Sequence, residues 1–464
     1  MCIPPQLDHD LFRILLYRNR ATELLVETSS GAFRLPFFQI PAHTRVAEEL
    51  TQAIRTSWNL ETYCLFTLPS RIASSSNGRH AVFEACGSQS EPPNGMRWVG
   101  VAMLSANDFE DAVDFAMLRH SVAALKQHAR GDLPGVFARA GWMRDVTEWV
   151  QTEAKASGLS LTGSFRQLNA SPTFSLIRFE TNGPALWFKA VGEPNLHELP
   201  ITLKMAEDFP EFIPSVIASR PEWNAWLALE SEGSPLDASS NDTAWRTAAE
   251  SLAALQVATF GRRFELMEAG CKDLRPCSLL PLVAPFLDTM TELMEQQTKV
   301  VPPPLSREEL LSLGGEIGAS LEGIADHAIP NTLGLLDANP GNVLERRGCC
   351  VFLDWADAYV GPPFFTFQYL LEHRRRLQTL NSRQEEPLVS SYAKPWTRFA
   401  SSKEIAAVFR LVPLLAVFAY AVGNESWRQQ VPIHLETAQY LRGLTRRMKR
   451  EADVLQESRS KCVS

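Results

Sequence analysis

The segment that most limits how this chain can fold is Leu336-Asp337-Ala338-Asn339-Pro340-Gly341-Asn342-Val343-Leu344, in which a turn-forming polar centre is held between apolar ends. Proline, glycine and two asparagines in one run dictate a tight reversal, because each either fixes φ, tolerates left-handed backbone or hydrogen-bonds its own main chain. Just downstream, Cys349-Cys350-Val351-Phe352-Leu353 reads as an apolar strand that ends on Asp354 and Trp355. A β interlude is therefore expected over 333–353, inside a region whose apolar spacing is otherwise helical from about residue 243.

This arrangement has chemical content. A carboxylate, an amide five residues on and a strand-end carboxylate twelve further on suit phosphoryl transfer to a hydroxyl. Asp337 can accept the hydroxyl proton, while Asn342 and Asp354 offer the oxygen ligands that magnesium prefers. Each has an ordinary reading when taken singly: Asp337 as a turn former, Asn342 in a left-handed position beside Gly341, Asp354 as a helix N-cap. Their joint spacing around an apolar hairpin is what favours the chemical reading. Farther upstream, Lys189 lies in Leu186-Trp187-Phe188-Lys189-Ala190-Val191, a strand apolar on both faces. A lysine there must neutralise, snorkel or meet an anion such as the phosphates of ATP. An edge strand with Lys189 reaching solvent is the alternative. Nine residues on, Glu198 can pair with Lys189, although Asn195-x-x-Glu198 is also the pattern of a capping box.

On these residues the chain resembles the aminoglycoside phosphotransferase and choline kinase-like superfamily, built on the protein kinase fold. Its pattern His-Gly-Asp-Leu-His-Pro-Gly-Asn, then an apolar strand ending Ile-Asp-Trp, is matched by Leu335 to Asn342 and by Leu353-Asp354-Trp355. The resemblance spans roughly residues 160–450. It implies Asp337 as catalytic base, Asn342 and Asp354 as magnesium ligands, and Lys189 as the phosphate-binding lysine with Glu198 its partner. It further implies that Trp226-Leu227-Ala228-Leu229-Glu230 is a hinge, with Leu229 and Glu230 holding adenine through the backbone. Two histidines of the pattern are replaced, by Leu335 and Asn339. The turn expected over the phosphates, Asn169 to Thr173, has no glycine, leaving its amides and hydroxyls as the groups for phosphate.

At 464 residues two to four domains are expected. The anticipated class is α+β: an N-terminal block over 1–130, a linker and helix over 131–159, a β-rich lobe over 160–231 and a helical lobe over 232–464. The first block pairs Phe12–Tyr17 with Glu23–Thr28, carries a helix from Val46 to Trp58, strands near 61–67 and 79–85, a turn at 74–78, a loop at 88–95 and a helix over 109–130. It resembles, more faintly, a Nudix hydrolase domain. Thr56 and Ser57 stand where that family's closing glutamates belong, and Glu48 and Glu49 lie about two turns too early, so an accessory, non-catalytic module is expected.

A net charge of −8 argues against a nucleic-acid or membrane-surface partner. Eight scattered cysteines without paired C-x-x-C and histidine spacing argue against zinc and for reduced thiols. With no signal-peptide pattern at the start, the expected location is cytoplasmic. The apolar run 408–422 is broken by Arg410 and Pro413 and is expected to be a buried helix. The leading expectation is an ATP- and magnesium-dependent transfer to a small-molecule hydroxyl. A nucleotide-binding pseudokinase is the alternative, and a Nudix-type hydrolase the third reading. From Trp355 to Arg450 there are 14 Lys and Arg against 7 Asp and Glu, which leans against a polycationic acceptor. Sequence leaves the acceptor and the oligomeric state open.

Overall fold

The β-branched and aromatic runs of the first hundred residues pair into a mixed sheet. The computed structural model describes residues 8–29, 31–68, 79–87, 91–239, 241–377, 382–428 and 433–463; the expected turn at 74–78 and the start of the 88–95 loop lie outside them. Strands β1 (His9–Arg18) and β2 (Glu23–Ser29) form the anticipated hairpin, with Tyr17 opposite Leu24. With β3 (Ala32–Arg34), β4 (Phe37–Pro41), β5 (Thr62–Leu68), β6 (Arg79–Ala85) and β7 (Met96–Gly100) they build one sheet whose main path is β3-β2-β1-β6-β5, β1 running parallel to β6. Helix α1 (Val46–Trp58) buries Ala47, Leu50 and Ile54, the stripe its sequence spacing defines. Helix α2 (Ala112–Arg130) is capped by the Asp111 side chain at its start and ends at Gly131, φ 78°, where a left-handed residue closes the last turn.

Segment 131–135, expected as a boundary, leads straight into shared packing. Phe137 and, on α3 (Trp142–Ala156), Trp142, Val146 and Val150 belong to one core with Tyr63 and Phe66 of β5 and with Phe179 and Phe188 of the following sheet. That sheet consists of β8 (Leu161–Ala170), β9 (Ser175–Thr181), β10 (Leu186–Ala190), β11 (Val216–Arg220) and β12 (Ala225–Leu229), antiparallel in the order β11-β12-β10-β9-β8. Accordingly the chain divides into two compact units, residues 1–199 with 215–230 and residues 200–214 with 231–464. The N-terminal block and the β-rich lobe fall together in the first. Helix α4 (Glu198–Asp208) carries the division at 199/200.

The second unit is mostly helical, beginning with α5 (Asp242–Ala258), around a core that includes Trp245, Phe286, Trp355, Phe364 and Trp396. Two small sheets interrupt it, joining β13 (Ser234–Pro235), β14 (Lys272–Asp273), β15 (Thr332–Leu335), β16 (Val343–Arg346), β17 (Cys349–Phe352) and β18 (Ala358–Gly361) in the orders β13-β16-β17 and β14-β18-β15. The run 408–422 lies within the helix Ser402–Gly423, which contains Pro413 and buries Val412, Leu415 and Phe418 in that core. By length and composition it and 276–295 could cross a membrane, with 61% of the apolar window of Ser402–Gly423 buried.

Candidate functional site

The backbone around Asp337 is fixed from both sides. The Leu335 amide donates to the Thr366 hydroxyl at 2.8 Å and the Leu336 amide to the Asp357 carbonyl at 3.0 Å. Leu335, which stands where the family pattern has a histidine, is itself buried, so bracing comes from Thr366 on the helix Phe364–Leu377. At the other replaced position, the Asn339 side chain accepts from the Gly341 amide at 3.0 Å and the Asn339 carbonyl from the Asn342 amide at 2.8 Å, which closes the reversal. The Asn342 carbonyl then accepts from the Leu353 amide at 2.8 Å, continuing the β16–β17 register in which Val343 faces Phe352. That bond sets Asn342 beside the strand end carrying Asp354. Asp354 itself sits at φ 63°, a left-handed conformation that non-glycine residues adopt at some cost and that clusters at functional sites. Asp337, Asn339, Asn342 and Leu353 line one small pocket, with Thr366 and Leu370 on its helical side.

Like charges gather here. Burial, then the charges of Asp354 and Asp357, push the Asp337 carboxyl above the usual carboxylate range, and His373 opposes them. Lys272 of β14 pairs with Asp357 at 2.6 Å, a contact secured by the parallel pairing of Lys272 with Tyr359 on β18. Burial and the Arg376 charge hold the His373 imidazole below its usual value. Among the described residues no three His, Cys, Asp or Glu side chains form a metal-holding group. Asn342 and Asp354 together offer an amide and a carboxylate oxygen, a donor set that fits magnesium, which takes one or two protein ligands and completes its shell with phosphate oxygens and water.

In the first unit, Lys189 of β10 lies opposite Trp226 of β12 and Leu176 of β9, at the middle of the sheet rather than its edge. Its ammonium meets Glu198 Oε1 at 2.5 Å, and Glu198 is 1% exposed. The Glu198 carboxylate therefore serves the lysine; the Glu198 amide donates to the Asn195 carbonyl at 3.0 Å. The hinge amides are engaged, Leu229 to the Ser215 carbonyl at 2.9 Å and Glu230 to the Ala185 carbonyl at 2.8 Å. The Glu230 carboxylate grips Arg178 through two nitrogens at 2.6 and 2.8 Å, which holds it below the usual carboxylate range. In the glycine-free turn, Ser171 N–H donates to the Phe174 carbonyl at 2.8 Å, and Phe174 N–H to the Ser171 hydroxyl at 3.0 Å. Pro172 has no N–H, and its carbonyl takes the Phe137 amide at 3.1 Å. Of the amides expected to meet phosphate, that of Ser171 is thus taken within the turn.

The basic surplus of residues 355–450 also reads differently in place. Arg374 is 1% exposed, paired with Asp242 and stacked 5.5 Å from the Trp245 ring centre. Arg375 pairs with Glu385 at 2.7 Å and Arg447 with Glu372. These arginines are structural, and the charge nearest Asp337 is acidic. Sequence reasoning missed Thr366, Lys272 and His373, which come from elements distant in the chain and have no local motif to mark them.

No family model matches the chain, so neither the kinase-like nor the Nudix likeness gains support from one, and no curated protein matches it. Solved structures do match. A choline/ethanolamine kinase family protein from Mesorhizobium loti is 15% identical, covers 68% of this chain and 95% of its own, and has a TM-score of 0.46. A choline kinase from Cryptosporidium parvum is 12% identical over 67% of this chain and 97% of its own, TM-score 0.45. The macrolide 2'-phosphotransferase MphH from Brachybacterium faecium is 16% identical over 64% and 96%, TM-score 0.42. Likeness this distant assigns nothing to individual residues, and function is argued from this chain's own side chains.

Proposed function

We propose that the chain is a bilobal, protein kinase-like phosphotransferase that uses ATP and magnesium to phosphorylate a hydroxyl of a small molecule. The observation that carries this reading is the hydrogen bond from Leu353 to the Asn342 carbonyl, which holds an amide and the strand-end Asp354 side by side on the loop that also presents Asp337. Asn342 and Asp354 hold the metal, and when bound it offsets charge on the phosphates. Lys189, held by Glu198, takes the phosphates. Asp337 accepts the proton of the acceptor hydroxyl as its oxygen bonds to the γ-phosphorus and the bond to the ADP oxygen breaks. Its raised pKa makes it a better proton acceptor than a solvated carboxylate.

The N-terminal block is assigned a non-catalytic role, with Glu48 engaged in an ion pair with Arg166 of β8 rather than open for metal. A second reading, a nucleotide-binding protein that does not transfer phosphate, is favoured by the glycine-free turn at 169–173, whose Ser171 amide is already bonded to the Phe174 carbonyl. The deciding experiment is ADP release by the full chain with magnesium-ATP over a panel of hydroxyl compounds. Acceptor-dependent release that is lost in Asp337→Ala supports transfer; tight ATP binding with no acceptor-dependent release supports the second reading.

A further inference from the structure

Residues of the first unit enclose a cavity of about 470 Å³, in the range of small-molecule sites. It shares no residue with the loop carrying Asp337. At its base is Glu84 of β6, 5% exposed. One carboxylate oxygen, Oε2, accepts from the Tyr63 hydroxyl and from the Gly141 amide, the latter at 2.6 Å. The other oxygen, Oε1, has no hydrogen-bond partner, and Glu84 has no ion pair among the described residues. A carboxylate this buried with no cation beside it is costly, and a bound cation would offset that cost. The cavity wall is apolar and aromatic, with Met143 and with Phe165 and Phe179, whose ring centres are 6.2 Å apart. Its rim carries two arginines and Glu148: Arg20 is exposed and makes no ion pair among the described residues, and Arg144 has loose contacts to Asp145 at 3.4 Å and Glu148 at 3.7 Å, which leaves a positive excess. Charge is thus ordered by depth, negative at the base and positive at the mouth.

We propose that this cavity binds an elongated zwitterion, with a protonated amine on Glu84 Oε1, an apolar or aromatic body along Phe165 and Phe179, and a carboxylate or phosphate at Arg20 and Arg144. Protonated amines also favour aromatic faces, which suits the walls on the way to Glu84.

The ligand's three parts can be separated with simple probes. Titration calorimetry of the full chain is expected to show saturable binding of 4-(aminomethyl)benzoate. Benzylamine, lacking the anion, and 4-methylbenzoate, lacking the amine, should each bind at least about tenfold more weakly. In Glu84→Gln the amide oxygen can still accept from Tyr63 and Gly141, which turns the NH₂ group toward the cavity and sets a donor against the ammonium. Affinity is expected to fall at least about tenfold without loss of folding. Should that variant fail to fold, Ser164→Trp at the exposed mouth blocks entry without disturbing any buried bond. Asp337→Ala must leave binding unchanged. No saturable binding, equal affinity for the three probes, binding insensitive to the cavity variants, or binding lost in Asp337→Ala would each overturn the proposal.

Discussion

Lys189 with Glu198 and the Asp337 loop are two charged arrangements built on opposite principles. In the first, a cation and an anion are buried together and complete each other at 2.5 Å. In the second, burial and the charges of Asp354 and Asp357 push the Asp337 carboxyl up, His373 opposes them, and Lys272 pairs with Asp357. A cation set on its anion lowers the energy of both, whereas clustered like charges that persist in a fold imply that something positive is to arrive. In the proposed phosphotransfer, that contrast separates a group that orients from a group that reacts.

Variants that break the reacting cluster should show the largest effects. Asp337→Ala is expected to lower acceptor-dependent turnover about 10²–10⁴-fold with little change in ATP binding, measured by ADP release and by ATP titration. For Asp354→Asn, turnover falls similarly, and thermal unfolding gives the sharper test. With Asp337 raised above its unfolded pKa, its ionised form weighs against folding at all pH values above the folded pKa and not at all below the unfolded one. Removing the Asp354 charge should therefore raise Tm in metal-free buffer near neutrality, while the rise that magnesium gives the wild type disappears. Next in size is the finished pair. Lys189→Met takes the Lys189 cation away from the buried Glu198 carboxylate and should destabilise the chain by about 3–5 kcal/mol in denaturant titration, whereas Lys189→Met with Glu198→Leu should cost less than the single change. Thr366→Val strands the buried Leu335 amide and is expected to cost about 1–3 kcal/mol. The smallest effect is a shift rather than a loss: Asp357→Asn removes a charge that raises Asp337, so the acidic limb of the kcat profile should move to lower pH. A move to higher pH would show that the Asp357 charge does not raise Asp337.

What was legible in the sequence was what is local. The reversal at 337–342 is fixed by proline, glycine and asparagine within six residues, and Lys189 finds its partner only nine residues on. The first hairpin, α1 and the β interlude follow from periodicity alone. What could not be read depends on chain segments that meet from afar. The Thr366 hydroxyl reaches the Leu335 amide from 31 residues away, and Lys272 reaches Asp357 across 85. The amide of Ser171 looked open because nothing in the sequence says that it bonds across the turn to the Phe174 carbonyl. Gly135, at φ 104°, is part of the reason the turn is held: a side chain there would put its Cβ 2.1 Å from the Pro172 carbonyl oxygen. The same segment seemed a boundary because Gly131 to Gly135 has the composition of a linker, while its glycines in fact serve a helix end and a close approach.

Gln167 of β8 carries one further consequence. Its side-chain carbonyl accepts from the Cys64 amide at 2.7 Å and its NH₂ donates to the Cys64 carbonyl at 2.9 Å, so the amide group imitates one residue of an added strand against β5, the last strand of the first sheet. A fragment ending near residue 130 would lose this cover and leave that rim with bare main-chain donors and acceptors, the pattern that recruits other chains. Cut from the rest, the N-terminal block should come out of solution as aggregates rather than as a monomer.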